Sequence, residues 1–138
     1  MKTANPRQGS ETILVVDNQP FLLNLSCSML SRYGYTVLSA SSAGEALHFI
    51  QTFPDTKIHL ALLDIVMPGM DGVELALHLT EKRPHISIIF MSGYCENPEL
   101  RPERFRNVNF LAKPFTSMAL AAKVREVLDM RRSDSAAS

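Results

Sequence analysis

Short, continuously apolar runs alternate with helical patterns along most of the chain. Five runs have the character of strands that are buried on both faces of a parallel sheet. They are Thr12–Val16, Tyr35–Ala40, Ile58–Asp64, Ile86–Met91 and Val108–Ala112. Because residues at helical spacing separate these runs, the order is a strand and then a helix, repeated five times. Right-handed crossovers therefore favour a single α/β domain with an open, doubly wound parallel sheet and helices on both faces.

Capping residues indicate where three of the helices begin. Ser42 with Glu45, and Asp71 with Glu74, have the spacing of capping boxes. Thr116 is a suitable cap for the last helix. Each of these residues lies between an apolar run and a helical pattern, as the alternating order requires.

The first and fourth helical segments are predicted from their apolar residues and prolines. The first helix is expected to bury four residues that share one helical face, namely Phe21, Leu22, Leu25 and Met29. The fourth segment contains Pro98 and Pro102, and an interior proline removes a backbone hydrogen bond. It is therefore expected to be irregular, or a short helix that starts near Pro102.

Length and charge limit the remaining possibilities. The 138 residues suit one domain, expected at residues 11–130 between flexible segments at 1–10 and 131–138. Fourteen basic and fourteen acidic residues leave no net charge that would attract nucleic acid or an anionic membrane. No apolar run is long enough to span a bilayer. Cys27 and Cys95 are too few for a disulfide scaffold, so a cytoplasmic location is expected.

Four of the five apolar runs end in residues with polar functional groups. These groups come from Asp17 with Asn18, from Asp64, from Ser92 and from Lys113. Ligands bind at the carboxyl ends of strands in open α/β sheets, so we expect these side chains to gather there. Carboxylate and amide oxygens suit Mg²⁺. A carboxylate beside a metal ion and an ammonium group can accept a phosphoryl group.

Four fragments resemble, in their order and spacing, the receiver domain of two-component response regulators. They are ILVVDNQP, LLDIVMPGMDG, FMSGY and FLAKPF, and the likeness extends from Glu11 to about Met130. It implies a flavodoxin-like (βα)5 fold with strand order 2-1-3-4-5. It also implies a protein that is not an enzyme acting on a separate substrate but takes a phosphoryl group from a histidine kinase or a histidine phosphotransfer protein. An output protein would then recognise a changed surface near the last two helices.

The resemblance also implies roles for single residues. Asp64 would be the phospho-acceptor and Lys113 would contact the phosphoryl group. Mg²⁺ would be held by Asp64, by Asp17 through water and by the carbonyl of Val66. Asn18 stands where the family usually has a second acid that binds the metal directly.

An amide oxygen can still coordinate a metal ion, but one negative charge fewer predicts weaker Mg²⁺ binding. Asn18 is equally suited to cap the following helix. Two further roles come from the resemblance, with Ser92 as the switch hydroxyl and Phe110 as the switch aromatic residue. A cis peptide bond between Lys113 and Pro114 is a further expectation.

Alternative functions remain open from the sequence. The chain could be part of a larger hybrid kinase or regulator, or a pseudo-receiver that only binds partners. A haloacid dehalogenase-type enzyme is disfavoured, because its second acid would stand at Val66.

In the receiver family, the positions of Val66 and Tyr94 flank the path of a hydrolytic water. Val66 has no group that can orient that water, and Tyr94 is bulky enough to cover its path, so a long-lived phosphorylated state is expected.

Overall fold

Five parallel strands form one sheet in the order β2-β1-β3-β4-β5. The structure is a computed structural model that describes residues 8–93 and 109–137. The strands are β1 (Thr12–Val16), β2 (Thr36–Ala40), β3 (Leu60–Asp64), β4 (Ser87–Ser92) and β5 (Asn109–Ala112). The described helices are α1 (Pro20–Arg32), α2 (Ala43–Thr52), α3 (Gly72–Lys82) and α4 (Ser117–Ala137).

The predicted fold class and strand order are confirmed. Four of the strands begin one or two residues later than the apolar runs, and the first begins where it was predicted. The predicted fourth helical segment, with Pro98 and Pro102, lies outside the described residues. The alternation of strands and helices therefore holds wherever the structure tests it.

The sheet is buried on both faces, which explains the continuous apolar runs. Along β1, Leu14 and Val16 pack in the core on the α2 and α3 side. Ile13 and Val15 pack in a second core on the α1 and α4 side. All five residues of β3 are buried, since this strand lies at the centre of the sheet. Each large apolar side chain buried in this way contributes about 1.5–3 kcal/mol to folding.

The predicted apolar face of α1 is wrong for Phe21 and Leu25, whereas Met29 packs partly against the core. The buried residues are Leu23, Ser26 and Leu30, whereas Phe21 is 76% exposed and Leu25 is 41% exposed. Apolar residues occur nearly all around this helix, so their spacing does not identify the buried face. The small side chain of Ser26 leaves room on the side of α1 that packs toward the sheet.

The predicted capping residues are confirmed at α2, α3 and α4. The side chains of Ser42, Asp71 and Thr116 accept hydrogen bonds from backbone N–H groups three residues later. The capping box at α2 differs from the expected form, because Glu45 accepts from Ser41. Ser41 thus supplies both a backbone and a hydroxyl donor for this glutamate, at 3.2 and 2.7 Å.

Regular structure and hydrogen bonds are found on both sides of the predicted domain limits. Helix α4 continues to Ala137, seven residues past the expected boundary at Met130. Residues 131–137 contain neither glycine nor proline, so nothing in their composition ends the helix. At the other end, Gly9 donates to the carbonyl of Tyr33 at 3.0 Å, which ties part of the expected flexible segment to the domain. The domain boundaries at residues 11 and 130 stay predictions.

One ion pair joins the beginning of β1 to α4. The guanidinium of Arg125 donates to both carboxylate oxygens of Glu11, at 3.1 and 2.7 Å. It also contacts Tyr35, Asp129 and the carbonyl of Gln8.

Within the described part of the chain, no helix has both the length and the apolar character needed to cross a membrane.

Candidate functional site

Two buried carboxylates lie at the carboxyl ends of the neighbouring strands β1 and β3. Asp17 follows β1 and is 0% exposed, and Asp64 ends β3 and is 5% exposed. The buried backbone that precedes them holds both acids in place. Charges at such depth are costly unless other groups compensate them.

Lys113 supplies the compensating positive charge. Its Nζ lies 2.9 Å from Oδ2 of Asp17 and 3.3 Å from Oδ2 of Asp64, so one ammonium group bridges both acids. The other carboxylate oxygens accept backbone N–H groups. Gln19 donates to Oδ1 of Asp17 at 2.9 Å, and Val66 donates to Oδ1 of Asp64 at 3.2 Å.

The electrostatic environment of Asp64 is mixed. Burial raises the pKa of its carboxyl above the ordinary value, the positive charge of Lys113 opposes this, and repulsion from Asp17 adds to it. Hydrogen bonds from Lys113 and the backbone of Val66 favour the ionised form and so also lower this pKa. Asp64 is therefore a carboxylate that has lost most of its water but retains two donors.

A glycine allows α3 to start directly against the loop that follows Asp64. A Cβ atom at Gly72 would collide with the backbone carbonyl of Asp64. The Gly72 N–H donates to the carbonyl of Ile65 at 2.9 Å, which fixes this close approach. The side chain of Asp71 accepts the Glu74 N–H at 2.8 Å, which caps the start of α3 directly after this loop.

Asp64 lines a cleft with a volume of about 660 Å³. Three residues that the sequence predicted for the site line it with Asp64, namely Asn18, Val66 and Lys113. The sequence interpretation missed four others: Gln19, Met67, Pro68 and Gly93. All four come within a few residues of a strand end, which is the signal that could have identified them. Val66 is 56% exposed, so the approach to Asp64 from this side is open.

Ser92 and Phe110 are not among the residues that line this cleft. Ser92 is buried at the end of β4, one residue beyond Met91, which pairs with Asp64. Its carbonyl accepts from the Lys113 N–H at 2.9 Å. Phe110 pairs with Phe90 between β4 and β5 and is only partly buried. The switch roles of Ser92 and Phe110 stay predictions.

The oxygen atoms around the cleft fit a hard divalent cation. Asp64, Asn18 and Val66 line the cleft, and Asp17 shares the ammonium of Lys113 with Asp64. Among the residues that the structure describes, no three histidine, cysteine or acidic side chains gather in a possible metal site. Mg²⁺ is typically held by one or two carboxylates and retains several waters, so this set is sufficient for it.

A second depression shares Lys113 with the cleft. It has a volume of about 300 Å³ and lies between α1 and the loop after β5. Its lining is mainly apolar and includes Leu22, Leu25, Pro114 and Phe115. The exposed side of α1, which the sequence wrongly assigned to the core, thus forms one wall of a groove beside Asp64. The Lys113–Pro114 peptide bond in the other wall is cis, as expected.

Comparison with known proteins identifies the family. The family model described as "Response regulator receiver domain" matches residues 13–125, most of the chain. This chain belongs to the response regulator receiver family. The receiver is therefore a signalling module of two-component systems, and its strand order is that of the family's fold.

Individual relatives agree with this assignment. The receiver is 31% identical to the response regulator receiver protein CpdR of Brucella abortus, over 84% of this chain and 95% of the relative. It is 34% identical to the sensor kinase CckA of the same organism, over 94% of this chain but only 14% of the kinase. A CheY-like receiver domain protein of Methanospirillum hungatei has a similar structure, with a TM-score of 0.80 and 29% identity. That match covers 91% of this chain and 99% of the other.

The receiver is similar to parts of longer proteins as well as to single-domain ones. It spans 48% of the length of a response regulator of Aneurinibacillus migulanus and 52% of the length of a transcriptional regulatory protein of Bacillus subtilis, in addition to the 14% of the kinase. Which of these contexts applies to this receiver is a matter for proposal.

Proposed function

We propose that Asp64 accepts a phosphoryl group from the phosphohistidine of a histidine kinase or a histidine phosphotransfer protein. The observation that carries this proposal is the position of its carboxylate. Asp64 is buried at the end of the central strand, contacts Lys113 and faces an open cleft. A carboxylate of purely structural use would not need a cleft large enough for a phosphoryl group.

The chemical step follows from these contacts. A carboxylate oxygen of Asp64 attacks the phosphorus, the phosphorus–nitrogen bond breaks and the donor histidine leaves with the electron pair. Lys113 is close enough to stabilise the negative charge of the phosphoryl oxygens, since its Nζ already lies 3.3 Å from Asp64. Mg²⁺ bound by Asp17, Asn18, Asp64 and the carbonyl of Val66 would supply further positive charge.

The response to phosphorylation involves the two switch residues in this proposal. Ser92 reaches the phosphoryl group with its hydroxyl, and Phe110 then changes its rotamer. The two residues lie on the adjacent strands β4 and β5. Phosphorylation biases a two-state equilibrium of the surface around β5 and α4. An output protein then recognises the favoured state.

The phosphodonor must bring its histidine to Asp64, so its surface must cover the rim of the cleft. The apolar groove beside α1 shares Lys113 with the cleft and so lies next to that rim. The phosphodonor would therefore cover this groove as well. A donor of this kind is made with ATP, which places the exchange in the cytoplasm. The receiver serves either as a protein on its own or as a module of a longer hybrid kinase or regulator.

Acetyl phosphate provides the direct test of this function. Incubation of the receiver with acetyl phosphate and Mg²⁺ should add the mass of one phosphoryl group, and EDTA should prevent the addition. A receiver that stays unmodified at saturating donor and Mg²⁺ would instead be a pseudo-receiver that acts by binding alone.

The side chain of Val66 is expected to set the lifetime of the phosphorylated state. It is exposed at the cleft but cannot orient a water for attack on the phosphorus. In Val66→Asn the amide can do so, and loss of label after removal of the donor should become about fivefold faster, the effect of roughly 1 kcal/mol on a barrier. Tyr94, the other position expected to flank this path, lies outside the described residues.

Val66→Ala is the matched control, because it opens the path without adding a group that holds water. The loss rates of both variants should be measured by mass spectrometry at saturating Mg²⁺. If Val66→Ala accelerates the loss as much as Val66→Asn, access rather than water orientation limits hydrolysis. If neither variant differs from the parent, this side chain does not control the lifetime.

A further inference from the structure

We propose that Asn18 makes Mg²⁺ binding conditional on the phosphoryl group. The metal ion is then held weakly by the free site and much more tightly once Asp64 carries a phosphoryl group. This inference rests on the proposed function of Asp64. It concerns a regulatory consequence of one residue of this chain, and not the existence of the metal site.

The charges around the free site are the first step. Asp17 and Asp64 bring two negative charges, and the ammonium of Lys113 contacts both carboxylates and removes one of them. Asn18 lines the same cleft without adding any charge. A divalent cation therefore meets a site with a net charge of about one negative unit, where an acid at position 18 would give two.

The burial of the acids makes this difference large. Asp17 and Asp64 are almost inaccessible to solvent, and Lys113 is largely buried as well. Water and salt screen such charges far less than they screen charges at the surface. An incoming cation must also share both carboxylates with an ammonium group that already binds them.

Phosphorylation supplies the missing charge. Conversion of the Asp64 carboxylate to an aspartyl phosphate replaces one negative charge by close to two at neutral pH. The charge that an acid at position 18 would have provided is thus delivered by the phosphoryl group itself. Because coupling between two ligands is reciprocal, Mg²⁺ must stabilise the phosphorylated state by the same factor by which phosphorylation tightens Mg²⁺.

Calorimetric titration of Mg²⁺ with and without beryllofluoride, which has the charge and shape of a phosphoryl group, tests this coupling. In the wild-type receiver, beryllofluoride should raise the affinity for Mg²⁺ by at least about tenfold. That factor is within the usual range of coupling between two sites. In Asn18→Asp the free site should bind Mg²⁺ about five- to tenfold more tightly than the wild type, and the factor due to beryllofluoride should shrink. Asn24→Asp is the matched control. Asn24 is exposed on α1, so this substitution adds the same negative charge outside the cleft.

Thermal unfolding without metal gives a second, independent measurement. A third acid in the cleft increases repulsion, so metal-free Asn18→Asp should melt at a lower temperature than the wild type, and Asn24→Asp should not. Equal coupling factors in wild type and Asn18→Asp would overturn the inference while leaving Asp64 as the acceptor. If neither protein binds beryllofluoride with Mg²⁺ and neither is labelled by acetyl phosphate, the proposed function fails together with the inference.

Discussion

The Asp64→Asn variant is expected to take up no phosphoryl group from acetyl phosphate under conditions that label the wild type completely. The amide of asparagine is a far weaker nucleophile than the carboxylate. Of the two buried acids at the cleft, only Asp64 lies among its lining residues. Asp17 is fully buried, with its oxygens occupied by Lys113 and the backbone of Gln19. It is therefore not placed to substitute for Asp64.

The substitution should leave the fold intact, so the loss of label can be assigned to chemistry. An asparagine oxygen can still accept from the Val66 N–H, and Lys113 keeps its contact with Asp17. Asp55→Asn is the control, since Asp55 is an exposed acid in the loop between α2 and β3. It should be labelled like the parent. Stoichiometric labelling of a folded Asp64→Asn protein would remove Asp64 from the role of acceptor.

The fold was predictable because each level of the sequence indicates the same arrangement. Continuous apolar runs such as β3 require burial on both faces, and only helices on both sides of a parallel sheet provide it. The capping residues then mark where α2, α3 and α4 start. Strand order came from the family resemblance, because hydrophobic patterns do not say which strands are neighbours.

The buried face of α1 was not predictable for a physical reason. This helix carries apolar residues on two sides, one that packs into the core and one that lines the groove beside Lys113. Periodicity measures only where apolar residues occur, not which of them touch the sheet. The error therefore falls on a helix whose exposed apolar residues line a groove.

The candidate site was predictable as a set of residues but not as a set of contacts. The shared carboxyl edge of a parallel sheet brings Asp17, Asp64 and Lys113 together from positions far apart in sequence. That Lys113 bridges both acids follows only from the distances of 2.9 and 3.3 Å. The collision that requires glycine at position 72 is likewise visible only in three dimensions.

Removal of Arg125 is expected to cause a large loss of stability at a distance from the site. Its guanidinium is 13% exposed and its partner Glu11 is 16% exposed, so the pair is largely withdrawn from water. Arg125→Ala leaves the Glu11 carboxylate without its two charge-assisted hydrogen bonds. The expected loss in the free energy of unfolding is about 1–3 kcal/mol at neutral pH, because a partly buried carboxylate loses two charge-assisted hydrogen bonds.

The matched control is Lys123→Ala on the same helix. Lys123 pairs with Glu126 at 3.3 Å, but both side chains are more exposed than those of the Arg125 pair. Exposed ion pairs contribute about 0–1 kcal/mol, so this variant should unfold close to the wild type in urea. Equal destabilisation by the two substitutions would show that helix propensity, rather than the pairing with Glu11, explains the effect.

The pH dependence gives the sharper test of the same ion pair. Hydrogen bonds from Arg125 lower the pKa of Glu11 from 4.5 to about 2. A carboxyl whose pKa is lower in the folded state stabilises the protein fully above its unfolded pKa. That stability is lost as the pH falls from about 4.5 towards 2. The difference in unfolding free energy between wild type and Arg125→Ala should therefore be constant near neutral pH and shrink steadily below pH 4.5. A difference that stays the same down to the lowest pH at which the protein folds would mean that Glu11 gains nothing from Arg125.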